Sequence, residues 1–276
     1  MQKLGGTSTT GINPKILYNI YMTLQNNKSL GQHWLKDRAI LDEIADEAML
    51  ETEKQPLCVE IGPGLGTLTS SLLKRFPKVT AIEFDPKLAH NLPNSFPGKN
   101  LEVLNEDILK FDLDSIEEDY VVAGNIPYYI TSPIIEKLLT AKNKPKRIAL
   151  LIQKEVAERI LAEPGKHTYL SLAVQNYAEV EPGIVVKKGY FTPPPKVDSA
   201  TIILTPREEP LVGEDVLRFA KQGFKAPRKK LIKNLPYEKS KLENAFLKLN
   251  IDENVRPSDF SHEEWQNLVD KITKSV

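Results

Sequence analysis

Short apolar segments alternate with helical stretches between about residues 36 and 205, and this alternation limits the folds open to the chain. Each of the five segments is five or six residues long, with room for a helix before the next. This spacing is typical of a mostly parallel sheet with helices on both faces, because parallel neighbours need a crossover connection. The predicted strands are Leu57–Ile61, Val79–Glu83, Leu101–Asn105, Tyr120–Gly124 and Arg147–Ile152.

The pattern changes after these strands. Two further apolar segments, Ile184–Lys188 and Ala200–Leu204, flank three consecutive prolines and predict a closing antiparallel pair. Beyond residue 207 the pattern becomes helical, with helices predicted near 214–222, 228–236, 239–248 and 261–272. We therefore expect an extension over 1–28 with helical potential at 14–22, an α/β domain over 29–207, and a small all-helical domain over 208–276.

Composition bounds the class of protein. With 276 residues, 41% of them hydrophobic, the chain can form one large core and a smaller one. Basic and acidic residues both number 37, so attraction to nucleic acid must come from local clusters. The single cysteine, Cys58, excludes an intrachain disulfide and a cysteine-based zinc site, and no metal is expected. The sequence shows neither a secretory signal nor an apolar run of transmembrane length, which predicts a cytoplasmic protein without a membrane partner.

A glycine-rich turn follows the first predicted strand. Gly62, Gly64 and Gly66 allow a ligand to approach the backbone closely. Their spacing, Gly-x-Gly-x-Gly, differs from the dinucleotide fingerprint, and no P-loop lysine follows. Glu60, immediately before the turn, would repel phosphates but can meet an ammonium group. The turn therefore favours a zwitterionic cofactor over a pyrophosphate.

Acidic residues end the next two strands. Glu83 lies about 20 residues beyond the turn, where an acid can bind the two hydroxyls of a ribose. Asp107 can accept a hydrogen bond from an adenine amine. Each acid alone is also compatible with a solvated loop residue. Because the carboxyl ends of parallel strands share one edge of the sheet, the glycine turn, Glu83, Asp107 and Asn125 together indicate S-adenosylmethionine as the cofactor, facing an amine acceptor.

The fourth strand ends in Gly124-Asn125-Ile126-Pro127-Tyr128. The Asn125 side-chain oxygen and the Ile126 carbonyl can accept both hydrogens of an exocyclic amine. Pro127 fixes the chain direction, and Tyr128 offers a ring for stacking. The alternative interpretation is a strand-ending turn, since glycine, asparagine and proline are common there.

These motifs resemble the rRNA adenine N6-dimethyltransferase family over about residues 29–272. The segments that carry the resemblance are 30–35, 60–64, 82–85, 106–107, 124–128, 153–159 and 191–200. The last segment, Phe191-Thr192-Pro193-Pro194-Pro195-Lys196-Val197-Asp198-Ser199-Ala200, is closer to the members that modify small-subunit rRNA than to the antibiotic-resistance members that modify large-subunit rRNA. The resemblance implies a Rossmann-like S-adenosylmethionine-dependent methyltransferase sheet with a helical C-terminal domain.

The resemblance also implies site residues. The cofactor would be bound by His33, Leu35, Glu60, Gly62, Gly64, Glu83, Asp107 and Asn125. One position departs from the family, which usually has Gln-Asn-Phe-Leu where this chain has Gln32-His33-Trp34-Leu35. The family's asparagine contact is then made by His33, by backbone, or not at all.

Catalysis in this reading depends on orientation, because the exocyclic nitrogen of adenine is a poor nucleophile. Asn125, Ile126 and Pro127 would hold the amine for in-line displacement, without a metal or a covalent intermediate. Tyr128 and Phe191 would stack on the extracted base. Both rings are alternatively ordinary core aromatics.

The expected partner is 16S rRNA in the immature small ribosomal subunit, dimethylated at two adjacent adenosines near its 3′ end, by a monomeric enzyme. The basic cluster Lys225, Arg228, Lys229, Lys230 and Lys233 is either a phosphate-contact surface or a solvated face. Three rivals remain at this stage: a large-subunit rRNA methyltransferase, a DNA adenine methyltransferase, and an assembly or transcription factor that keeps the fold only for binding.

Overall fold

Nine strands and nine α-helices make up residues 33–273, the part of the chain described by the computed structural model. The strands are β1 (Trp34–Leu35), β2 (Leu57–Ile61), β3 (Val79–Glu83), β4 (Leu101–Asn105), β5 (Tyr120–Asn125), β6 (Ile148–Gln153), β7 (Ala178–Val186), β8 (Phe191–Thr192) and β9 (Ser199–Pro206). The helices are α1 (Arg38–Glu47), α2 (Thr69–Leu72), α3 (Pro86–Asn91), α4 (Thr131–Thr140), α5 (Lys154–Ile160), α6 (Tyr169–Tyr177), α7 (Glu214–Gly223), α8 (Lys239–Lys248) and α9 (His262–Thr273). The predicted extension over 1–28 and residues 30–32 of the first motif lie outside the described residues.

Seven strands form one sheet in the order β4-β3-β2-β5-β6-β9-β7. The first five are mutually parallel, and β9 runs antiparallel to both of its neighbours. The chain places β3 and then β4 on one side of β2, and it then crosses back to place β5 on the other side of β2. The carboxyl ends of β2 and β5 are therefore adjacent at the point where the strand order reverses, which is where open α/β sheets bind ligands.

The central strands are buried on both faces, which explains their nearly continuous apolar sequences. In β5, Tyr120 and Val122 belong to one hydrophobic cluster, whereas Val121 and Ala123 belong to another on the opposite face. Helix α4 covers the first face with Ile134 and Leu138, among others, and α1 covers the second with Leu41, Ile44 and Ala45. Because successive side chains of a strand point to opposite faces of the sheet, β5 contributes to both hydrophobic clusters.

The C-terminal helices build a third cluster around Trp265 and Phe260, which are both buried. Leu172 of α6 belongs to the same cluster, so α6 joins the helices to the sheet. Asn176 of the same helix strengthens the connection, since its side chain accepts from the Val212 backbone nitrogen at 2.8 Å and donates to the Val212 carbonyl at 3.1 Å.

Most elements predicted from the pattern are present, with the first three strands at their predicted bounds and the antiparallel pair extended to β7 and β9. The helix predicted over 228–236 is wrong: the segment is irregular apart from a 3-10 turn at Leu231–Lys233. Asn234 explains the difference, because its side-chain nitrogen donates to the Gly223 and Ala226 carbonyls and fixes the segment as a loop. Among residues 33–273, no helix combines the length and apolar character needed to cross a membrane.

Replacing Trp265 with alanine is expected to lower the free energy of unfolding by about 3 kcal/mol, because large buried aromatics leave a cavity. The indole is fully buried, and its Nε1 has no acceptor among the described residues, which places the loss at the lower end of the usual range. Urea unfolding followed by far-UV circular dichroism measures the change. Leu247→Ala, at a side chain 82% exposed on α8, is the control, and equal losses in the two variants would contradict the assignment.

Candidate active site

A cavity of about 340 Å³ opens at the carboxyl ends of β2, β3, β4 and β5. Each strand contributes the residues at or just beyond its end, and the wall is completed by the segment before α1. The lining residues include His33, Trp34, Glu60, Gly62, Gly64, Glu83, Phe84, Glu106, Asp107, Ile108, Asn125, Ile126, Pro127, Tyr128 and Tyr129. The four predicted strand-end groups therefore do meet in one cavity.

The glycine turn presents backbone to this cavity. Gly62 and Gly64 have φ of 66° and 57°, in the left-handed region that side chains with a Cβ rarely adopt. A Cβ on Gly64 would lie 3.3 Å from Trp34 Nε1, whereas one on Gly62 would meet, among the described residues, only the Asn125 carbonyl oxygen, at 4.0 Å. The open space beside Gly62 is the kind of cradle that a ligand can fill.

Glu83 ties the end of β3 to the glycine turn. Its Oε2 accepts from the Gly64 backbone nitrogen at 3.0 Å, and its Oε1 accepts from the Asp85 nitrogen at 2.8 Å. Burial raises the pKa of this carboxyl, although the two backbone hydrogen bonds oppose the shift. Asp107 Oδ1 similarly accepts from the Leu109 nitrogen at 3.0 Å. Both carboxylates are thus held in place and keep lone pairs for a ligand.

Glu60 is the most deeply buried acid at the cavity. Its side chain is 1% exposed, and its Oε2 has no hydrogen-bond partner among the described residues. Burial raises the pKa of Glu60 to about 8, and the nearby charge of Glu83 acts in the same direction. An orphaned buried oxygen of this kind lacks a donor, and a ligand ammonium group would supply one.

The cavity as a whole favours positive charge. Four acids line it: Glu60, Glu83, Glu106 and Asp107. Within residues 33–273, no lysine or arginine lines it. A zwitterion that also carries a sulfonium fits this lining, because it presents cationic groups to the acids. A pyrophosphate does not fit it. The residues present therefore fit S-adenosylmethionine.

Two side-chain contacts hold the segment from Gly124 to Tyr128 in place. Asn125 Nδ2 donates to the His33 carbonyl oxygen at 3.1 Å, which leaves Oδ1 as the acceptor for a ligand. The Tyr128 hydroxyl lies 2.7 Å from Ser199 Oγ, so its ring is fixed at the cavity wall. The ring is stacked beside the His33 imidazole, with centroids 6.1 Å apart and planes inclined by 23°.

Two residues predicted from the sequence lie away from the cavity. Leu35 and Phe191 are opposite each other in the antiparallel pair β1–β8, and they are 1% and 3% exposed. Both pack in the hydrophobic core beneath the site and do not line the cavity. Burial of both side chains favours a role in supporting the wall, while the stacking role of Phe191 and the cofactor contact of Leu35 stay predictions.

Sequence reasoning missed most of the apolar lining, of which three residues lie beside predicted site residues. Phe84 is 60% exposed at the cavity, next to Glu83, and Ile108 lies next to Asp107. Trp34 contributes its indole edge beside the glycine turn. The signal for Phe84 and Ile108 was available, since each directly follows a predicted binding acid and can offer an apolar face to a flat ring.

The basic cluster predicted to bind RNA lies outside the cavity, in the loop and 3-10 turn after α7. Lys225, Arg228, Lys229 and Lys233 are exposed there, and Lys230 pairs with Glu253 at 3.7 Å. Another basic group, which precedes β6, is committed to the fold: Lys144 donates to the backbone carbonyl of Arg207 at 2.9 Å, and Lys146 pairs with Asp119. The structure therefore leaves the first cluster as the more accessible one.

Comparison with known proteins identifies the family. The profile described as Ribosomal RNA adenine dimethylase matches residues 23–274. The chain belongs to the ribosomal RNA adenine dimethylase family. Ribosomal RNA small subunit methyltransferase A of Bacillus licheniformis is 40% identical over 95% of this chain and 96% of its own length.

Solved structures agree with this family. A dimethyladenosine transferase from Plasmodium falciparum covers 88% of this chain and 98% of its own, with 28% identity and a TM-score of 0.75. The 23S rRNA methyltransferase ErmE covers 87% of this chain and 99% of its own, with 28% identity and a TM-score of 0.69. The predicted family, the Rossmann-like methyltransferase fold with helices at its C-terminal end, the enzyme class and the S-adenosylmethionine cofactor are confirmed.

The raised pKa of Glu60 predicts how stability depends on pH. Between the unfolded value of 4.5 and the folded value of about 8, the folded state binds the proton that the unfolded state has lost, so this residue makes stability fall as pH rises. Glu60→Gln should remove this fall in stability, because glutamine does not titrate. Without cofactor, the variant and the wild type should have the same free energy of unfolding near pH 4.5, and the variant should have the higher one above about pH 8. Urea unfolding across the range tests this, and a difference that stays constant with pH would refute it.

Proposed function

We propose that this protein transfers methyl groups from S-adenosylmethionine to the N6 amines of two adjacent adenosines in the 3′-terminal hairpin of 16S rRNA, during assembly of the small ribosomal subunit. The observation that carries the proposal is the anchored amide of Asn125, which presents an acceptor to the cavity at the end of β5. Nearly full-length similarity to a small-subunit rRNA methyltransferase supports the choice of RNA.

The cofactor would be held by the strand ends in chain order. Glu60 would receive the ammonium group, the backbone at Gly62 and Gly64 would receive the methionine part, and Glu83 would bind the ribose hydroxyls. Asp107 would accept from the adenine amine. Phe84 and Ile108 would offer apolar faces to that ring. When bound, the cofactor supplies an electrophilic sulfonium methyl group.

The chain's own contribution to the reaction is to orient the target amine. The Asn125 Oδ1 and the Ile126 carbonyl would each accept one amine hydrogen, which directs the nitrogen lone pair out of the base plane. Pro127 would keep the two acceptors at the strand end by fixing the backbone direction. Positioning of this kind is the main source of rate enhancement when no proton or covalent step needs a side chain.

Tyr128 would stack on the extracted base. Its ring lines the cavity, and the hydroxyl contact to Ser199 restricts its rotation, so little side-chain entropy is lost on stacking. Stacking offsets part of the unstacking cost of a few kcal/mol that a flipped base carries.

Two alternatives remain. ErmE is similar in fold and methylates 23S rRNA according to its name, so a large-subunit substrate would use the same cavity. A factor acting by binding alone would not need the anchored amide of Asn125 or the unpartnered buried oxygen of Glu60. The retention of both groups favours an enzyme.

Outside the cavity, Lys225, Arg228, Lys229, Lys230 and Lys233 would bind RNA phosphates, and residues 208–276 would act as the RNA-substrate domain beside a methyltransferase domain over 29–207. We also propose that the protein acts as a cytoplasmic monomer on immature small subunits. Support for the RNA surface comes from the exposure of the cluster in a loop, where side chains can adapt to a backbone.

Asn125→Ala is expected to reduce dimethyladenosine formation by about 10²–10³-fold, as for loss of a single positioned hydrogen-bonding group at a reacting centre. The assay is transfer from labelled S-adenosylmethionine to immature small subunits, followed by nucleoside analysis. Large subunits are tested in parallel. We expect the wild type to label small-subunit RNA and not large-subunit RNA, and the variant to lose this label.

Label in large-subunit RNA alone would move the assignment to the antibiotic-resistance type of enzyme. Cofactor binding by the wild type without methylation of either RNA would instead favour the binding factor.

Combined replacement of Arg228 and Lys229 by alanine is expected to weaken RNA binding and to lower the salt dependence of affinity by about 0.7–0.9 in log–log slope for each lost phosphate contact. Filter binding across a series of salt concentrations measures the slope. Lys54→Ala with Lys99→Ala removes the same charge from exposed positions elsewhere and is the control. Equal slopes in the two double variants would argue against a specific RNA surface.

A further inference from the structure

His33 joins three parts of the chain at the cavity wall. Its Nδ1 lies 2.8 Å from the Pro193 carbonyl oxygen, 160 residues away in sequence. Its own carbonyl oxygen accepts from Asn125 Nδ2 at 3.1 Å, across 92 residues. Its ring is stacked with Tyr128, whose hydroxyl contacts Ser199. Since Pro193 begins the connection between β8 and β9 and Ser199 is the first residue of β9, these contacts close a ring.

The contact with Asn125 determines which way the amide faces. A primary amide turned by 180° keeps its shape but exchanges its donor for its acceptor. A carbonyl oxygen can only accept, so the His33 carbonyl requires Nδ2 on its side. A turned amide would place two oxygens together there, and it would present a donor to the hydrogens of the target amine. The productive orientation is therefore fixed by the position of one carbonyl group.

The side chain of His33 holds that carbonyl in place. The Pro193 oxygen can only accept, so Nδ1 carries the hydrogen and donates it. This bond fixes the residue immediately before β1, and the pairing of Trp34 with Thr192 continues the attachment along the strand. The imidazole ring also packs beside Tyr128, so one side chain restrains both the acceptor and the stacking ring.

We propose that His33 is a positioning residue for methyl transfer, which orients the Asn125 amide and braces the Tyr128 ring. The inference rests on the function proposed above. The family pattern usually has asparagine at this position, and asparagine supplies a donor but no ring. In this chain, histidine supplies both the donor to Pro193 and the ring face beside Tyr128.

Three variants separate these contributions. His33→Ala removes the donor and the ring, His33→Phe keeps a ring without a donor, and His33→Asn keeps a donor without a ring. We expect the alanine and phenylalanine variants to lose about tenfold or more in kcat, since small misplacements at a reacting centre can cost up to about 10²-fold. The affinity for S-adenosylmethionine, measured by calorimetry, should change by less than about threefold, and asparagine should recover part of the kcat that phenylalanine loses.

A double-mutant cycle tests the route through Asn125. In the Asn125→Ala background there is no amide to orient, so His33→Phe should cost much less than it does in the wild type. Additive losses would overturn the proposed coupling. His90→Phe, at an exposed position on α3, controls for the substitution itself, and circular dichroism with cofactor binding verifies that each variant is folded.

Two other results would overturn the inference. A large loss of cofactor affinity with unchanged kcat would make His33 a cofactor ligand. Unchanged kcat in both the alanine and phenylalanine variants of an active enzyme would refute positioning and leave the proposed function intact. A wild-type protein that makes no methylated adenosine would refute the proposed function, and this inference with it.

Discussion

Parallel pairing of β2 with β5 is the constraint on which the site depends. The register sets Ile61 opposite Gly124, so the glycine turn that follows one strand lies beside Asn125, the last residue of the other. Gly124 permits the close approach, since a Cβ there would lie 2.8 Å from the Ile61 carbonyl oxygen. A shift of one residue in this register would turn Asn125 towards the opposite face and away from the glycine turn.

Burial of acids gives the cavity its chemical preference. Glu60 is kept from solvent and lacks a donor, so its charge is costly unless a cationic group approaches. Glu83 avoids the same cost in part by accepting two backbone hydrogen bonds. One carboxylate is therefore fixed by the protein itself, while the other is best satisfied by a ligand. A lining of this kind, to which residues 33–273 contribute acids but no lysine or arginine, is unfavourable for phosphate-rich nucleotides.

Local pattern predicted the parts of this structure that depend on local chemistry. The strands and the acids at their ends follow from apolar runs and from the geometry of parallel sheets, so Glu83 and Asp107 were placed correctly at the cavity. The burial of Phe191 could not be predicted in the same way, because it depends on pairing with Leu35 across more than half the chain. The contacts of His33 are equally non-local. The loop around Asn234 was missed because a side chain competes there with the helix for backbone carbonyls.

The cavity wall is made from segments that are far apart in sequence, and this has a consequence for biosynthesis. His33 and Tyr128 are both restrained by the segment that runs from the end of β8 into β9, through Pro193 and Ser199. A nascent chain, or a fragment cut before that segment, contains the glycine turn and Asn125 but lacks these two restraints on the opposite wall. Contacts of such long sequence separation carry a large loop-closure cost. We therefore expect full restraint of the wall only after β9 has joined the sheet.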